Sequence, residues 1–143
     1  MSIGQIDHVA VVVRSIEESL PRYAELFGLR PGPIHELPAQ RARVCFLPTG
    51  AHPAARLELV QPTDAQSGVA RFLAAHGEGL HHVCLRSDDL PADLAQLAER
   101  EAELIDREPR AGADGDVAFI HPRTLNGVLW ELIAPAALAL PER

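Results

Sequence analysis

Residues 80 to 99 read LHHVCLRSDDLPADLAQLAE, and residues 6 to 25, IDHVAVVVRSIEESLPRYAE, carry the same pattern. Laid over one another without gaps, His8 falls on His82, Val9 on Val83, Leu20 on Leu94, Ala24 on Ala98 and Glu25 on Glu99, 74 positions apart. A second pair follows. RVCFLPTGAHPAARLELVQP (43–62) lies over DVAFIHPRTLNGVLWELIAP (116–135), matching Val44 with Val117, Phe46 with Phe119, Glu58 with Glu131, Leu59 with Leu132 and Pro62 with Pro135, 73 positions apart. Matches in the same order at nearly the same offset indicate an internal repeat whose copies differ by one residue of loop.

Each copy has the same predicted elements. IDHVAVVV alternates little and is rich in valine, the habit of a strand covered on both faces. Ser15 and Glu18 have capping-box spacing. Leu20, Tyr23, Ala24 and Phe27 then recur at helical intervals, with Gly28 as the stop. Pro21 removes a helical hydrogen bond, so the helix is expected to start late or kink there. In the second copy Asp89 is the cap, and Leu90, Leu94, Leu97 and Ala98 form the apolar stripe. Strands are expected near 34–37, 43–48 and 55–61, then near 103–108, 116–120 and 127–133. The chain thus reads as α+β, two tandem β-α-β-β-β modules in a single domain over 1–143. Module 1 spans about 5–62, a linker helix about 63–79 with Val69, Phe72 and Leu73 on one side, and module 2 about 80–135.

Strand alternation sorts the paired histidines. His81 shares a face with Val83 and Leu85, suited to cover by a helix. His82 shares the other with Cys84 and Arg86, suited to a cavity, and the repeat sets His82 against His8. In the last strand of each module Leu57 and Leu59 flank Glu58, and Trp130 and Leu132 flank Glu131. A carboxylate there is costly to bury without a partner. One strand histidine or one edge glutamate is usually structural or solvated; two equivalent pairs ask for a common cause. If the copies are related by a pseudo-twofold axis, His8, Glu58, His82 and Glu131 converge. Two imidazoles and two carboxylates suit a divalent first-row ion and leave two octahedral positions open, as in a catalytic site. His35, His52 and His76 read as surface residues, and the acidic stretch 99–108 as a solvated helix end.

Bulk properties narrow the classes. A net charge of −7 argues against a nucleic-acid footprint. Cys45 and Cys84 form no CxxC pair, which fits a reducing compartment. The opening MSIGQIDHVAVVV lacks a basic n-region, and its apolar run is too short to span a bilayer. A soluble cytoplasmic protein with no membrane partner is expected, without a low-complexity tail beyond PER at 141–143.

The paired modules, each with one histidine and one carboxylate, resemble the vicinal oxygen chelate (glyoxalase/bleomycin resistance/dioxygenase) superfamily. Within it the chain is similar to the methylmalonyl-CoA epimerase family over about residues 5 to 134. IDHVAVVV, LELVQP, SGVARFLAAHGEGLHHVCL and FIHPRTLNGVLWELI carry the resemblance. It implies a cup-shaped mixed sheet and a divalent metal ion on His8, Glu58, His82 and Glu131, cobalt first, then manganese, nickel or zinc. It also implies an acyl-CoA thioester substrate and a homodimer. The activity implied is R/S interconversion of methylmalonyl-CoA, an isomerase reaction by 1,1-proton transfer through an enolate. Glu131 is the first candidate base and Glu58 the second. Val44, Phe46, Val117 and Phe119 are expected to line an apolar cup, and His121 to touch substrate. Arg56, Arg86 and Arg123 are candidate partners for the carboxylate or the coenzyme phosphates. The chain departs from the family in having Val44 where some bacterial members have a glutamate, GADGD at 112–116 where a histidine and a basic residue are usual, and Asn126 before Gly127-Val128.

Three other readings share the scaffold. A glyoxalase I-like lyase or isomerase uses the same ligands on another chelating substrate. An extradiol-type dioxygenase needs iron with two histidines and one carboxylate, and a fourth ligand competes with that. A metal-free drug-binding protein of the bleomycin-resistance type would usually line its cup with aromatics, of which this chain has one Trp, one Tyr and four Phe.

Overall fold

A computed structural model describes residues 2–136 of the chain. The elements are β1 (Ile3–Val12), α1 (Ile16–Phe27), β2 (Ile34–Leu37), β3 (Ala42–Pro48) and β4 (Arg56–Pro62), then α2 (Gly68–His76), then β5 (Gly79–Ser87), α3 (Leu90–Glu99), β6 (Arg110–Ala111), β7 (Gly115–Ile120) and β8 (Trp130–Pro135). This is the expected α+β order, a β-α-β-β-β module twice over with a helix between. The PER stretch, 141–143, lies outside the described residues.

The chain divides into two compact units. Ile6–Cys84 forms one; the residues up to Gln5 and from Leu85 onward form the other. In the first unit the strand order is β2-β3-β4-β1-β5. There β1 runs parallel to β4 while β2, β3 and β4 are antiparallel neighbours. Ser15 caps α1 by accepting from the Glu18 amide at 3.2 Å, and Gly28 ends it in the left-handed region at φ 68°. The helix begins at Ile16, ahead of Pro21, so the late start expected from that proline does not occur. Ser67 caps α2 in the same way through the Ala70 amide.

The second unit holds α3 and the order β8-β7-β6. Asp89 caps α3 as expected. Asp93, buried in the same helix, accepts from the Ser2 amide (3.1 Å), the Ser2 hydroxyl (2.8 Å) and the Ser87 hydroxyl (2.6 Å). Burial pushes the Asp93 carboxyl up, but these hydrogen bonds outweigh it and hold the group below the usual carboxylate range. Two strand expectations change. The strand expected over 103–108 is absent: Leu104 makes a single bridge to Ile120, and the edge strand is the two-residue β6. The amides of Ile105 and Asp106 both donate to the Phe119 carbonyl, and the Asp106 carboxylate accepts from the Phe119 amide at 2.8 Å, so a side chain replaces the ladder. The strand expected from 127 begins instead at Trp130, because Asn126 and Gly127 turn through positive φ of 58° and 74°.

The two cores show the repeat again. In the first unit Ile16, Cys45, Leu47 and Leu59 are buried together. In the second Leu90, Ala118, Ile120 and Leu132 are buried together, at the equivalent positions. The surrounding Val11, Leu20, Tyr23 and Leu57 correspond to Leu85, Leu94, Leu97 and Trp130. Truncating a buried leucine of this kind to alanine costs about 2–5 kcal/mol. Because these side chains fill the helix-covered face, the alternate positions, Glu58 and Glu131 among them, turn to the other face of their strands.

Candidate metal centre

Within the unit Ile6–Cys84, three of the four expected ligands come together. Glu58 Oε1 lies 3.8 Å from His8 Nε2 and 3.5 Å from His82 Nε2. The imidazoles meet edge to face, centroids 5.5 Å apart, and all three residues are buried. These nitrogen–oxygen separations are longer than hydrogen bonds. They are close to what two ligand atoms adopt when each sits about 2.1 Å from a shared ion, namely about 3.0–3.4 Å.

Each imidazole is held by its other nitrogen. His8 Nδ1 donates to Asp7 Oδ2 at 2.7 Å, and that oxygen also accepts from Arg56 Nη2 at 3.0 Å. His82 Nδ1 lies 2.8 Å from Nδ1 of His81. His81 packs edge-on against Phe72 of α2, centroids 4.8 Å apart. In both cases the residue just before the ligand histidine fixes its ring, and Asp7 and His81 are themselves repeat-equivalent, 74 positions apart. A partner on Nδ1 sets the tautomer and presents Nε2 to a metal. The buried donor set therefore fits a divalent ion. A second grouping, Asp7, His8 and Cys84, has ligand atoms within 4.8 Å of one another. It suits an ion less well, because Asp7 Oδ2 is already engaged by Arg56 and by the His8 ring.

Glu131 occupies in its own unit the place Glu58 has in the other. It is buried near the start of β8 and stands opposite Phe119 in the β7–β8 pair, as Glu58 stands opposite Phe46 in the β3–β4 pair. Val44 and Phe46 are buried, and Phe46 touches the His8 ring, centroids 5.4 Å apart. His121 directly follows β7, and its Nδ1 accepts from the Arg123 amide at 3.0 Å. Arg123 donates through Nε and Nη2 to Glu103, at 3.2 and 2.7 Å, and the paired guanidinium holds the Glu103 carboxyl below its usual range. Arg56 lies over the Phe46 ring at 3.8 Å besides bonding Asp7. Both cysteines are buried, and burial pushes the Cys45 thiol up.

Three residues escape a reading by alternation. Asp7 and His81 belong by alternation to the faces away from the candidate ligands, yet their side chains reach the His8 and His82 rings. The repeat alignment, which sets Asp7 on His81, is the signal that finds them. His35, read as surface, is half-buried on β2 directly opposite Val44.

The model of the glyoxalase/bleomycin resistance protein/dioxygenase superfamily matches residues 7–119. The chain belongs to this superfamily. Among curated members, the uncharacterized protein YqjC of Bacillus subtilis is 37% identical over 93% of this chain and 94% of its own length. The ethylmalonyl-CoA/methylmalonyl-CoA epimerase of Cereibacter sphaeroides is 33% identical over 91% of this chain and 97% of its own. Among solved members, a methylmalonyl-CoA epimerase in complex with methylmalonyl-CoA and ammonium superposes with a TM-score of 0.89. It is 31% identical, covering 95% of this chain and 97% of that one. The reading of the chain as an epimerase-like isomerase of the superfamily stands with these relatives. No helix among the described residues is long and apolar enough to cross a membrane.

Proposed function

We propose that this chain interconverts the R and S forms of methylmalonyl-CoA with the help of one divalent metal ion. His8, Glu58, His82 and Glu131 would hold the ion, cobalt in first place and manganese, nickel or zinc after it. The observation that carries the reading is the pair of imidazoles, each pinned through Nδ1, with both Nε2 atoms turned on the Glu58 carboxylate. The matching strand register of Glu58 and Glu131 supports the fourth ligand. The substrate is supported by the activities of relatives that span nearly all of the chain.

The ion, when bound, supplies positive charge where the thioester oxygen gains negative charge. The chain's own residues do the rest. Glu131, with Glu58 as the alternative, takes the proton from the carbon between carboxylate and thioester. Val44, Phe46 and Phe119 exclude water, which strengthens every charge interaction around them. His121 is assigned to substrate contact. The same reading has the protein act as a homodimer in the cytoplasm.

The test is inversion of a single methylmalonyl-CoA epimer, followed with added cobalt, after chelation, and in a blank without protein. Cobalt-dependent inversion is expected. A protein that retains cobalt yet inverts nothing would sink the substrate assignment and direct the search to glyoxalase-type hemithioacetals. Inversion unchanged by chelation would sink the metal assignment.

A further inference from the structure

A 1,1-proton transfer needs a proton acceptor on one face of the carbon and a donor on the other. Glu131 or Glu58 supplies one. The first unit shows what is available as the second. On β2, Ile34 packs into the helix-side core, so His35 turns to the opposite face of the strand. That is the face of Val44, directly across from His35, and of Phe46. The His35 ring lies 6.5 Å from the Phe46 ring, centroid to centroid, and the same Phe46 ring lies 5.4 Å from His8. Phe46 thus stands between His35 and a candidate ligand, with Glu58 across from it on β4. By strand spacing, His35 and Glu58 are about 12 Å apart at the backbone, two strands of about 4.8 Å across and two residues of about 3.4 Å along, because Val44 pairs with both His35 and Val60, with a bound acyl group as the natural occupant between them.

Chemistry narrows the choice further. Val44 and Phe46 carry no exchangeable proton, His8 is committed to the ion in the reading above, and Glu58 already stands there as an alternative for the first base. The His35 ring has no hydrogen bond or ion pair among the described residues that would give it a structural task. An imidazole can both give and take a proton, which suits a group that must do one in each direction.

We infer that His35 is the second acid/base group of the epimerisation. In one direction the carboxylate takes the proton from the substrate carbon, and the C–H electron pair becomes the enolate double bond. The His35 imidazolium then delivers its proton to the opposite face of that carbon, and the electron pair returns to form the new C–H bond. The protein is left with a carboxylic acid and a neutral imidazole. Exchange with solvent restores the starting forms, and the reverse reaction begins from the other pair.

The inference rests on the proposed epimerase activity, and one experiment separates the two. His35→Gln and the wild type are each given a single epimer of methylmalonyl-CoA in deuterated water. Deuterium uptake at the reacting carbon and inversion are followed together, and cobalt affinity is measured by competition. The expected variant binds cobalt within about 2-fold of the wild type and loses inversion by about 100-fold or more. It still exchanges the proton of one epimer, the one whose proton the carboxylate takes. Inversion within about 3-fold of the wild type overturns the assignment. So does equal loss of exchange for both epimers, and so does a loss of cobalt affinity, which would make His35 a structural support. A cobalt-loaded wild type that inverts nothing removes the epimerase reading and the assignment with it.

Discussion

Nδ1 of His81 and Nδ1 of His82 lie 2.8 Å apart, so one proton is shared between two adjacent rings of a single strand. If Nε2 of His82 holds a metal ion, its Nδ1 carries that proton and His81 accepts it. The proton of His81 then sits on its own Nε2. Asp7 serves His8 in the same manner with a carboxylate as acceptor. Two different side chains thus stand at the same position of the repeat, each against the Nδ1 of the histidine that follows it.

Replacing either acceptor leaves all four candidate ligands in place but loosens a ring. His81→Ala and Asp7→Asn are each expected to weaken cobalt binding by about 10–100-fold. Competition against a chromophoric chelator reads this directly. Unchanged affinity in both variants would mean that the rings hold themselves.

His82→Ala removes a candidate ligand outright. The variant is expected to retain little or no cobalt after gel filtration, where the wild type retains about one ion per chain. Metal content measured by elemental analysis decides the point, and full retention would end the metal assignment.

Glu131→Gln keeps an oxygen for the ion but cannot take up a proton. Cobalt is expected to remain bound while inversion falls by about 100-fold or more. Inversion at the wild-type rate by the loaded variant would move the base to Glu58.

Asp93 links pH to stability. Its folded carboxyl titrates below the ordinary value. Its contribution is therefore complete above the unfolded value of about 3.9 and is lost as pH falls through the folded one. Asp93→Asn is expected to destabilise the protein by about 1–3 kcal/mol at neutral pH. The gap to the wild type should close as the pH falls below about 4. Urea denaturation at both pH values measures it; a gap that stays constant would show that the charge is not what matters.

Much of this is legible in the sequence because burial constrains it. Glu58 and Glu131 stand out as lone acids between large apolar neighbours, and the nearly equal offsets of His8–His82 and Glu58–Glu131, 74 and 73 positions, tie them together. The helix caps are legible for a similar reason: Ser15 and Asp89 have one local task each. What alternation misplaces are side chains that reach around their own backbone, as Asp7 and His81 do. His35 is hidden by its setting. The strand over 34–37 is expected and found, but four residues between prolines at 33 and 38 are too few for alternation to say which face His35 takes; its pairing with β3 decides that. The edge strand near 103–108 fails because Asp106 offers the Phe119 amide a shorter route than another strand would.

The Ser2–Asp93 hydrogen bonds join residues 91 positions apart. On the ribosome, Ser2 is made long before its acceptor. At about 5–20 residues per second, roughly 5–20 s separate the two. The strand that opens the chain must therefore wait, its first residues unanchored, until α3 has emerged, while Ile6–Cys84 has all of its own partners sooner. The order of synthesis thus favours completing the first unit first, and the last unit closes by reaching back for the beginning of the chain.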